Sequence, residues 1–310
     1  MKIAFIHPHK AFLPEIDAYT DFFSRYGIET LTAHPREEAR LKAEVEWHFM
    51  GLHPRRKKNA ITIHEYASAS IPPFSFYKDL LKRYVNDSPD YRVFNNEYVR
   101  KQYPFRDGIP DGIRDYGIRF RQVADIPVAE KKYDFVYLGA IDPKRKPDGL
   151  FHQFTRGGLS NHSLLVISKS YNEIEKRLSP FSNIYFKGPV PPEEVYPLLS
   201  QAAYAINYIP DRTPFNKQTS AKLLDYLNGR IPVITTDYEW VRAFQKKYGG
   251  NYFFLKKDLS NFSMEEIRAF PYRFPDLNEW TWERQIRRSG ILNFLESKFP
   301  GRIDFGPTSA

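Results

Sequence analysis

Cysteine is absent from the 310 residues of this chain. Its absence excludes disulfide frameworks, thiolate zinc fingers and thiol catalysis. The P-loop GxxxxGK[ST], the dinucleotide fingerprint GxGxxG and the nucleophile elbow GxSxG are missing as well. Asp-x-Asp, the metal–diphosphate ligand pair of single-domain sugar-nucleotide transferases, does not occur either. These absences argue against a P-loop NTPase, an NAD enzyme and a serine hydrolase of the elbow type.

Long apolar runs are also lacking. No stretch approaches the ~20 apolar residues that a membrane-spanning helix needs, and MKIAFIHPHK predicts a first β-strand rather than a signal peptide. What the chain has in excess is positive charge: 46 Lys and Arg against 37 Asp and Glu give a net charge of +9. This surplus indicates an anionic partner, such as nucleic acid, anionic lipid or a phosphorylated substrate.

The order of apolar runs predicts an α/β protein with two domains. From residue 133 onward, short strand-like runs alternate regularly with helical segments: DFVYLG, LLVIS, IYFKG, YAINYI, IPVITT and NYFFL. This alternation is typical of a doubly wound parallel sheet with helices on both faces. The first half alternates less regularly. We place the first domain at 1–128, the second at 129–282, and a long terminal helix at 283–299.

Ligands of open α/β sheets bind beyond the carboxyl ends of the strands, so we expect the binding residues in the loops there. One such loop carries the cations Lys144, Arg145 and Lys146, which suit phosphate oxygens or form a plain solvated turn. Another, IPDRTPFNKQTS, precedes a helix that we expect Asn216 or Thr219 to cap.

That helix carries two charges, Lys222 and Asp225, three residues apart. The spacing places them together, away from the apolar side of the helix. They form either an ordinary salt-bridged surface or, given the preceding loop, part of a ligand site. Lys217, Thr219 and Ser220 lie at the start of the helix and belong to the same candidate site.

The first half offers histidines at strand ends. His64 and Glu65 follow an apolar run and could position a sugar hydroxyl or take a proton, although a structural histidine is the commoner case. His7 and His9 follow the first strand and are candidates for the acceptor side. No third ligand at recognisable spacing supports a metal, so we expect none. The basic run 55–58 suits lipid headgroups or a solvated turn, and no RNP-like or recognition-helix pattern favours nucleic acid.

The second half resembles the donor-binding domain of GT-B glycosyltransferases, most closely the retaining group that makes bacterial polysaccharide and lipopolysaccharide. The run KLLDYLNGRIPVI aligns without gaps to the family's KLFEYLAAGKPVI-like motif. FVYLGAIDPKRKPDGLF and IYFKGPVPPEEVYPLLSQAAYAINYIP resemble two further segments of that domain. The likeness is good from about residue 133 to 240 and weak in the first half.

The resemblance implies a fold of two Rossmann-like domains in which the terminal helix 283–299 crosses back to the first. It also implies a metal-independent transfer from a nucleoside-diphosphate sugar. Asp225 falls on the carboxylate that grips the ribose, and Gly188 and Val190 fall near the base. The family's glutamate is an aspartate here, its upstream acidic partner falls at Lys217, and its arginine after the strand glycine is Ala140. Lys144 to Lys146 then remain as the diphosphate ligands.

The resemblance further implies a glycan or lipid-linked acceptor, no cofactor, and a cytoplasmic protein peripheral to the inner face of the cell membrane. Two alternatives stay open at this point. One is a sugar-nucleotide epimerase, which shares the fold. The other is a non-catalytic protein that binds nucleotide sugars or glycans.

Overall fold

A computed structural model describes residues 1–8, 13–38, 41–53, 59–70, 73–103, 105–120, 130–141, 147–168 and 172–306. The chain divides into two compact units. The first comprises Met1–Arg119 together with Asn278–Ala310, and the second comprises Phe120–Leu277. The predicted boundary after residue 128 falls in 121–129, outside the described residues, and stays a prediction.

The first unit contains a parallel sheet of six strands in the order β2-β1-β3-β4-β5-β6. Its strands are β1 Lys2–Ile6, β2 Glu29–Ala33, β3 Val45–Phe49, β4 Ile61–Tyr66, β5 Tyr91–Phe94 and β6 Asp111–Ile113. β3 is buried along its whole length, as expected for a parallel strand covered on both faces. The short β6 lies within FRDGIPDGIRDYG, whose glycines, aspartates and proline are typical of a loop.

Five helices belong to the described part of the first unit, and the first of them joins the core of that unit through Tyr19, Phe22 and Phe23. They are α1 Pro14–Ser24, α2 Ser75–Val85, α3 Glu97–Gln102, α10 Trp282–Arg288 and α11 Ile291–Lys298. The prediction of one continuous helix over 283–299 is wrong in one respect, because the helix is broken between α10 and α11. Gly290 has a φ of 74° there, a left-handed conformation that ends a right-handed helix. Both helices still join the core of the first unit, through Ile286, Ile291, Leu292 and Leu295.

The second unit contains another six-stranded parallel sheet, in the order β12-β11-β10-β7-β8-β9. All of the predicted runs are confirmed as strands: β7 Tyr133–Leu138, β8 Leu164–Ile167, β9 Ile184–Lys187, β10 Ala202–Asn207, β11 Val233–Thr236 and β12 Phe253–Leu255. The central strands β7 and β10 are neighbours, and β10 is buried at each of its positions. The predicted α/β fold class is thus confirmed in both units.

Helices connect these strands as a doubly wound sheet requires. They are α4 Asp148–Thr155, α5 Asn172–Leu178, α6 Pro192–Leu199, α7 Ala221–Asn228, α8 Glu239–Tyr248 and α9 Met264–Ala269. Two 3-10 turns, Phe215–Lys217 and Asn278–Trp280, complete the described elements. Within the described ranges, no helix has both the length and the apolar character needed to cross a bilayer.

Candidate functional site

The start of α7 is fixed by a buried hydrogen-bond network at the carboxyl ends of β10 and β11. Ser220 caps the helix, since its Oγ accepts from the amide of Leu223 at 3.4 Å and donates to Asn207 Oδ1 at 2.9 Å. Asn207 Nδ2 in turn donates to Thr235 Oγ1 and to Tyr238 Oη, each at 3.0 Å. The expected caps, Asn216 and Thr219, were therefore wrong by a few residues. Ser220 takes this role because it has the extended backbone of an N-cap.

Lys222 is buried and does not lie on a solvated helix surface. Only 8% of the residue is exposed. Its ammonium lies 4.3 Å from the centroid of the Tyr137 ring and donates to the carbonyl of Tyr208 at 3.2 Å. Lys222 is therefore not part of an ordinary salt-bridged surface, which was the first of the two alternatives that the sequence offered. A buried cation beside the carboxyl ends of β7 and β10 gives this edge of the sheet a positive charge suited to an anion.

Asp225 lies one turn further along α7 and is half-buried. Its Oδ1 accepts a hydrogen bond of 3.0 Å from Tyr196 Oη, and that hydroxyl also accepts from Asn228 Nδ2 at 3.0 Å. Tyr196 belongs to α6, so a neighbouring helix helps to orient the carboxylate. A half-buried, oriented carboxylate can accept hydrogen bonds from a pair of ligand hydroxyls.

The other predicted donor-binding residues belong to three further segments of the sequence. Gly188 and Val190 lie in the loop between β9 and α6, the helix that supplies Tyr196. Lys217 ends the 3-10 turn before α7 and pairs with Glu239 at 3.3 Å, and Thr219 is half-buried next to the cap. Lys144, Arg145 and Lys146 lie outside the described residues, so their predicted contact with a diphosphate stays a prediction.

In the first unit, Glu65 is fully buried in a network of structural partners. It lies inside β4, and the expectation that it follows the strand is wrong, because β4 continues to Tyr66. One carboxylate oxygen pairs with Arg114, and the other accepts from Trp47 Nε1 at 2.9 Å and from Tyr19 Oη at 3.1 Å. Burial raises the pKa of the Glu65 carboxyl, against the opposing charge of Arg114. Both carboxylate oxygens of Glu65 therefore already interact with buried side chains of the first unit.

His64 points to the other face of β4, as the two-residue alternation of a strand requires. It is fully buried and lies opposite His48 of β3 in the register of the parallel pair. Burial lowers the pKa of His64 and lowers that of His48 to about 2, so both imidazoles are neutral near pH 7. His7 follows β1 and is buried against Phe49, whereas His9 lies outside the described residues. Catalytic and acceptor roles for these histidines stay predictions.

Known proteins resemble this chain in fold but not in sequence. No family model matches the chain, and no curated protein matches it either. Solved structures do match over nearly their full length. A sucrose-phosphate synthase from Thermosynechococcus elongatus is 12% identical, with 96% of this chain and 99% of that chain covered and a TM-score of 0.64. The lipopolysaccharide outer core galactosyltransferase WaaB is 14% identical, with coverage of 96% and 99% and a TM-score of 0.53.

The chain has the GT-B fold. This fold is not restricted to transferases, because a UDP-GlcNAc 2-epimerase from Methanocaldococcus jannaschii, solved with UDP-GlcNAc and UDP, also matches. It is 12% identical, with 95% of this chain and 100% of that chain covered and a TM-score of 0.52. At such low identities the GT-B likeness concerns architecture, and the chemistry has to be argued from the residues.

Sequence reasoning missed three residues of these networks. Tyr196 orients Asp225, Asn207 links the cap of α7 to β11, and Arg114 neutralises Glu65. Asn207 carried a detectable signal, since an amide at the end of a wholly apolar strand needs a partner. Tyr196 and Arg114 carried none, because each acts across a long separation in sequence.

Proposed function

We propose that this protein is a glycosyltransferase that moves a sugar from a nucleoside-diphosphate sugar to a glycan or lipid-linked acceptor in cell-surface polysaccharide synthesis. The observation that carries the proposal is the oriented carboxylate of Asp225 on α7, in the second unit of a GT-B fold. The gapless likeness of its surrounding run to the donor-binding motif supports the same assignment. A retaining outcome follows from that likeness alone.

Asp225 would accept hydrogen bonds from the two ribose hydroxyls, while Tyr196 holds one of its oxygens in place. Hydrogen bonds to a charged group contribute about 1.5 to 3 kcal/mol each. Gly188 and Val190, in the loop that leads to Tyr196, would lie along the base. This arrangement would bind the nucleoside half of the donor.

The leaving nucleoside diphosphate gains negative charge as the glycosidic bond breaks. Lys144, Arg145 and Lys146, together with the amides that open α7, would stabilise this charge without a metal ion in the chemical step. Buried Lys222 would add to the positive field at that edge of the sheet. The proposal assigns no proton transfer to Glu65, because its oxygens already accept hydrogen bonds from Arg114, Trp47 and Tyr19.

A panel of UDP, GDP, ADP, CMP and dTDP sugars tests the proposal. Thermal shift selects the donor that binds, and release of the free nucleotide with an acceptor extract measures transfer. We expect Asp225→Asn to weaken donor binding about 10- to 100-fold, because it loses charged hydrogen bonds to the ribose. Tyr196→Phe should weaken it several-fold, since the carboxylate is then less well oriented.

Asp258→Asn is the matched control, because Asp258 is an aspartate of the same unit whose carboxylate accepts from the amide of Ser260. It should bind the donor as the wild type does. Unchanged affinity in Asp225→Asn would overturn the ribose assignment. Donor binding without release or transfer would instead favour a non-catalytic nucleotide-sugar protein.

An epimerase is the second candidate, because the matching epimerase structure shows that the GT-B fold also serves that reaction. The same assay separates the two. Transfer releases free nucleotide, whereas epimerisation converts the sugar nucleotide into an isomer with the nucleotide still attached. Chromatography of the recovered sugar nucleotide distinguishes these products.

We also propose that the first unit docks on an anionic membrane face, where a lipid-linked acceptor would be presented. α2 and the residue before it expose large apolar side chains, with Phe74, Phe76, Tyr77 and Tyr84 each at least two-thirds exposed. Lys78, Lys82 and Arg83 lie on the same helix. An exposed apolar helix face with neighbouring cations is typical of helices that lie in a membrane interface.

A further inference from the structure

Five side chains with metal-binding atoms come together in the first unit. His48 and His64 face each other on adjacent strands β3 and β4. His53 lies beyond the end of β3, Asp87 lies just beyond α2, and Glu38 comes from the segment between β2 and β3. The sequence spacing gave no third ligand for a metal, because the fold brings these residues together from four separate segments.

The distances match a metal site. Asp87 Oδ1 lies 3.3 Å from His53 Nδ1 and 3.4 Å from His64 Nε2. An ion bound tetrahedrally with bonds of about 2.0 to 2.1 Å has its ligand atoms about 3.3 to 3.4 Å apart. The donor atoms of this trio all lie within 4.8 Å of one another. One ion can therefore touch all three residues with little movement.

A second carboxylate orients the shared histidine. His53 Nε2 lies 3.1 Å from Glu38 Oε1, on the side of the ring opposite to Asp87. If Nε2 donates its proton to Glu38, Nδ1 presents its lone pair toward Asp87 Oδ1. Two lone pairs that face each other repel unless a cation lies between them. Metal-bound histidines commonly donate their other ring nitrogen to a carboxylate in this way.

Buried atoms without hydrogen-bond partners point to the same conclusion. Neither ring nitrogen of His64 makes a hydrogen bond, nor does His48 Nε2 or Asp87 Oδ2. His64 is fully buried and His48 is 3% exposed. Buried polar atoms without protein partners are rare in folded proteins, and an ordered water or a bound ion commonly satisfies them. An ion between His53, His64 and Asp87 would bind His64 Nε2, which lies 3.4 Å from Asp87 Oδ1 without forming a well-aligned hydrogen bond to it.

We propose that the first unit binds one divalent transition-metal ion of the zinc class through His53 Nδ1, His64 Nε2 and Asp87 Oδ1, with Glu38 holding His53. Two imidazoles and one carboxylate are nitrogen-rich ligands that suit zinc and not magnesium or calcium, which take oxygen. The ion links β4 to the segment that follows α2. It stabilises this unit and is separate from the nucleotide residues, which belong to the second unit.

The local backbone already holds the ligands in place. The amide of Asp87 donates to the carbonyl of His53 at 3.0 Å, and the amide of His53 donates to Asn86 Oδ1 at 2.8 Å. These bonds fix the two segments that carry ligands against each other. A preformed site of this kind binds its ion with little reorganisation.

Zinc titration of the full chain tests the proposal. The purified protein is stripped with a chelator, and Zn²⁺ is returned in competition with a colorimetric zinc chelator. We expect one equivalent of Zn²⁺ per chain and a higher unfolding temperature after its return. Co²⁺ in place of Zn²⁺ should give the intense visible absorption of a tetrahedral site.

Substitutions distinguish the residues that bind the ion from the residue that only positions one of them. Asp87→Asn should weaken zinc binding more than 100-fold, and Glu38→Gln about tenfold with the stoichiometry kept, because Glu38 acts through His53. His162→Gln is the matched control, since His162 also faces a carboxylate, that of Asp134, at 3.5 Å in the second unit. It should leave zinc binding unchanged.

Failure of the wild-type chain to bind Zn²⁺ above the level of surface sites would overturn the proposal. Equal zinc affinity in wild type, Asp87→Asn and Glu38→Gln would overturn it as well. If Asp87→Asn does not fold, the wild-type titration, the Co²⁺ spectrum and Glu38→Gln still decide.

Discussion

Two carboxylates that look alike in the sequence have different surroundings in the fold. Asp225 is half-buried, and a tyrosine from the next helix orients it. Glu65 is fully buried, and the guanidinium of Arg114 neutralises it. Glu65 was a candidate for chemistry because it follows a strand-like run, and Asp225 because of the loop before its helix and the motif around it. The surroundings of each carboxylate decide whether it can bind a substrate. A carboxylate enclosed by core donors has no oxygen left for one.

Glu65→Gln should therefore destabilise the first unit and not merely reduce activity. The variant removes the nearest counter-ion of buried Arg114 and leaves only the longer contact with Glu15, at 3.5 Å. Breaking one partner of a buried ion pair costs about 3 to 5 kcal/mol. Urea unfolding followed by circular dichroism measures the change. Asp21→Asn is the control, because it breaks the exposed pair between Asp21 and Arg119 and should cost less than about 1 kcal/mol.

A Glu65→Gln protein with wild-type stability and no turnover would contradict this reasoning. It would restore Glu65 as a catalytic residue. Equal loss of stability in Glu65→Gln and Asp21→Asn would also count against it, since burial could then not be the cause.

Residue contacts were predictable only where a motif or a local rule applied. The motif around Asp225 indicated a ligand-binding helix, and Ser220 was among the residues assigned to its start. Arg114 could not be paired with Glu65 from the sequence, because 49 residues separate them and Arg114 lies in a loop rich in glycine and aspartate. The histidine cluster was missed for the same reason.

The elements at the C-terminus show how one residue changes a helix. Apolar periodicity runs through 283–299 as if the helix were continuous, yet Gly290 divides it. The residue before it offers its carbonyl to Tyr91 Oη of β5 at 2.7 Å. The break thus lets the chain approach the sheet closely, and a side chain at position 290 would meet that tyrosine.

Gly290→Ala should destabilise the first unit more than Gly27→Ala does. Both glycines have a positive φ, of 74° and 67°, which costs a residue with a side chain about 1 kcal/mol. A Cβ at position 290 would also lie 2.8 Å from Tyr91 Oη, whereas at position 27 nothing lies within 4 Å. We expect an extra loss of about 1 kcal/mol or more in urea unfolding. Equal losses in the two variants would show that the contact with Tyr91 is unimportant.

Strands were predictable to the extent that they are long and apolar. All six strands of the second unit were found, because parallel strands covered on both faces appear as continuous apolar runs. β6 was missed, since it has three residues, one of them glycine. The helix break at Gly290 was missed because the apolar pattern on either side of it stays in phase.

At the scale of the whole molecule, the net charge of +9 agrees with anionic partners of two kinds. One is the proposed nucleoside diphosphate, which a few cations at a helix start can bind. The other is a membrane face, which needs many cations and an apolar surface together. The eleven residues of α2 supply both cations and an apolar surface. The exposed aromatic side chains of this helix have no role in the core of the first unit.

The membrane proposal predicts binding to anionic vesicles that depends on both parts of α2. The full chain should co-sediment with vesicles of phosphatidylcholine mixed with phosphatidylglycerol, and much less with phosphatidylcholine alone or at high salt, because screening weakens the attraction of the cations. Replacing Tyr77 and Leu81 together by serine should weaken binding about tenfold or more, since both are more than half exposed and lie one turn apart. Tyr185→Ser is the control, because this tyrosine of the second unit is 44% exposed and lies outside α2. If the double variant binds as the wild type does, charge alone holds the protein to lipid and α2 is not the docking surface.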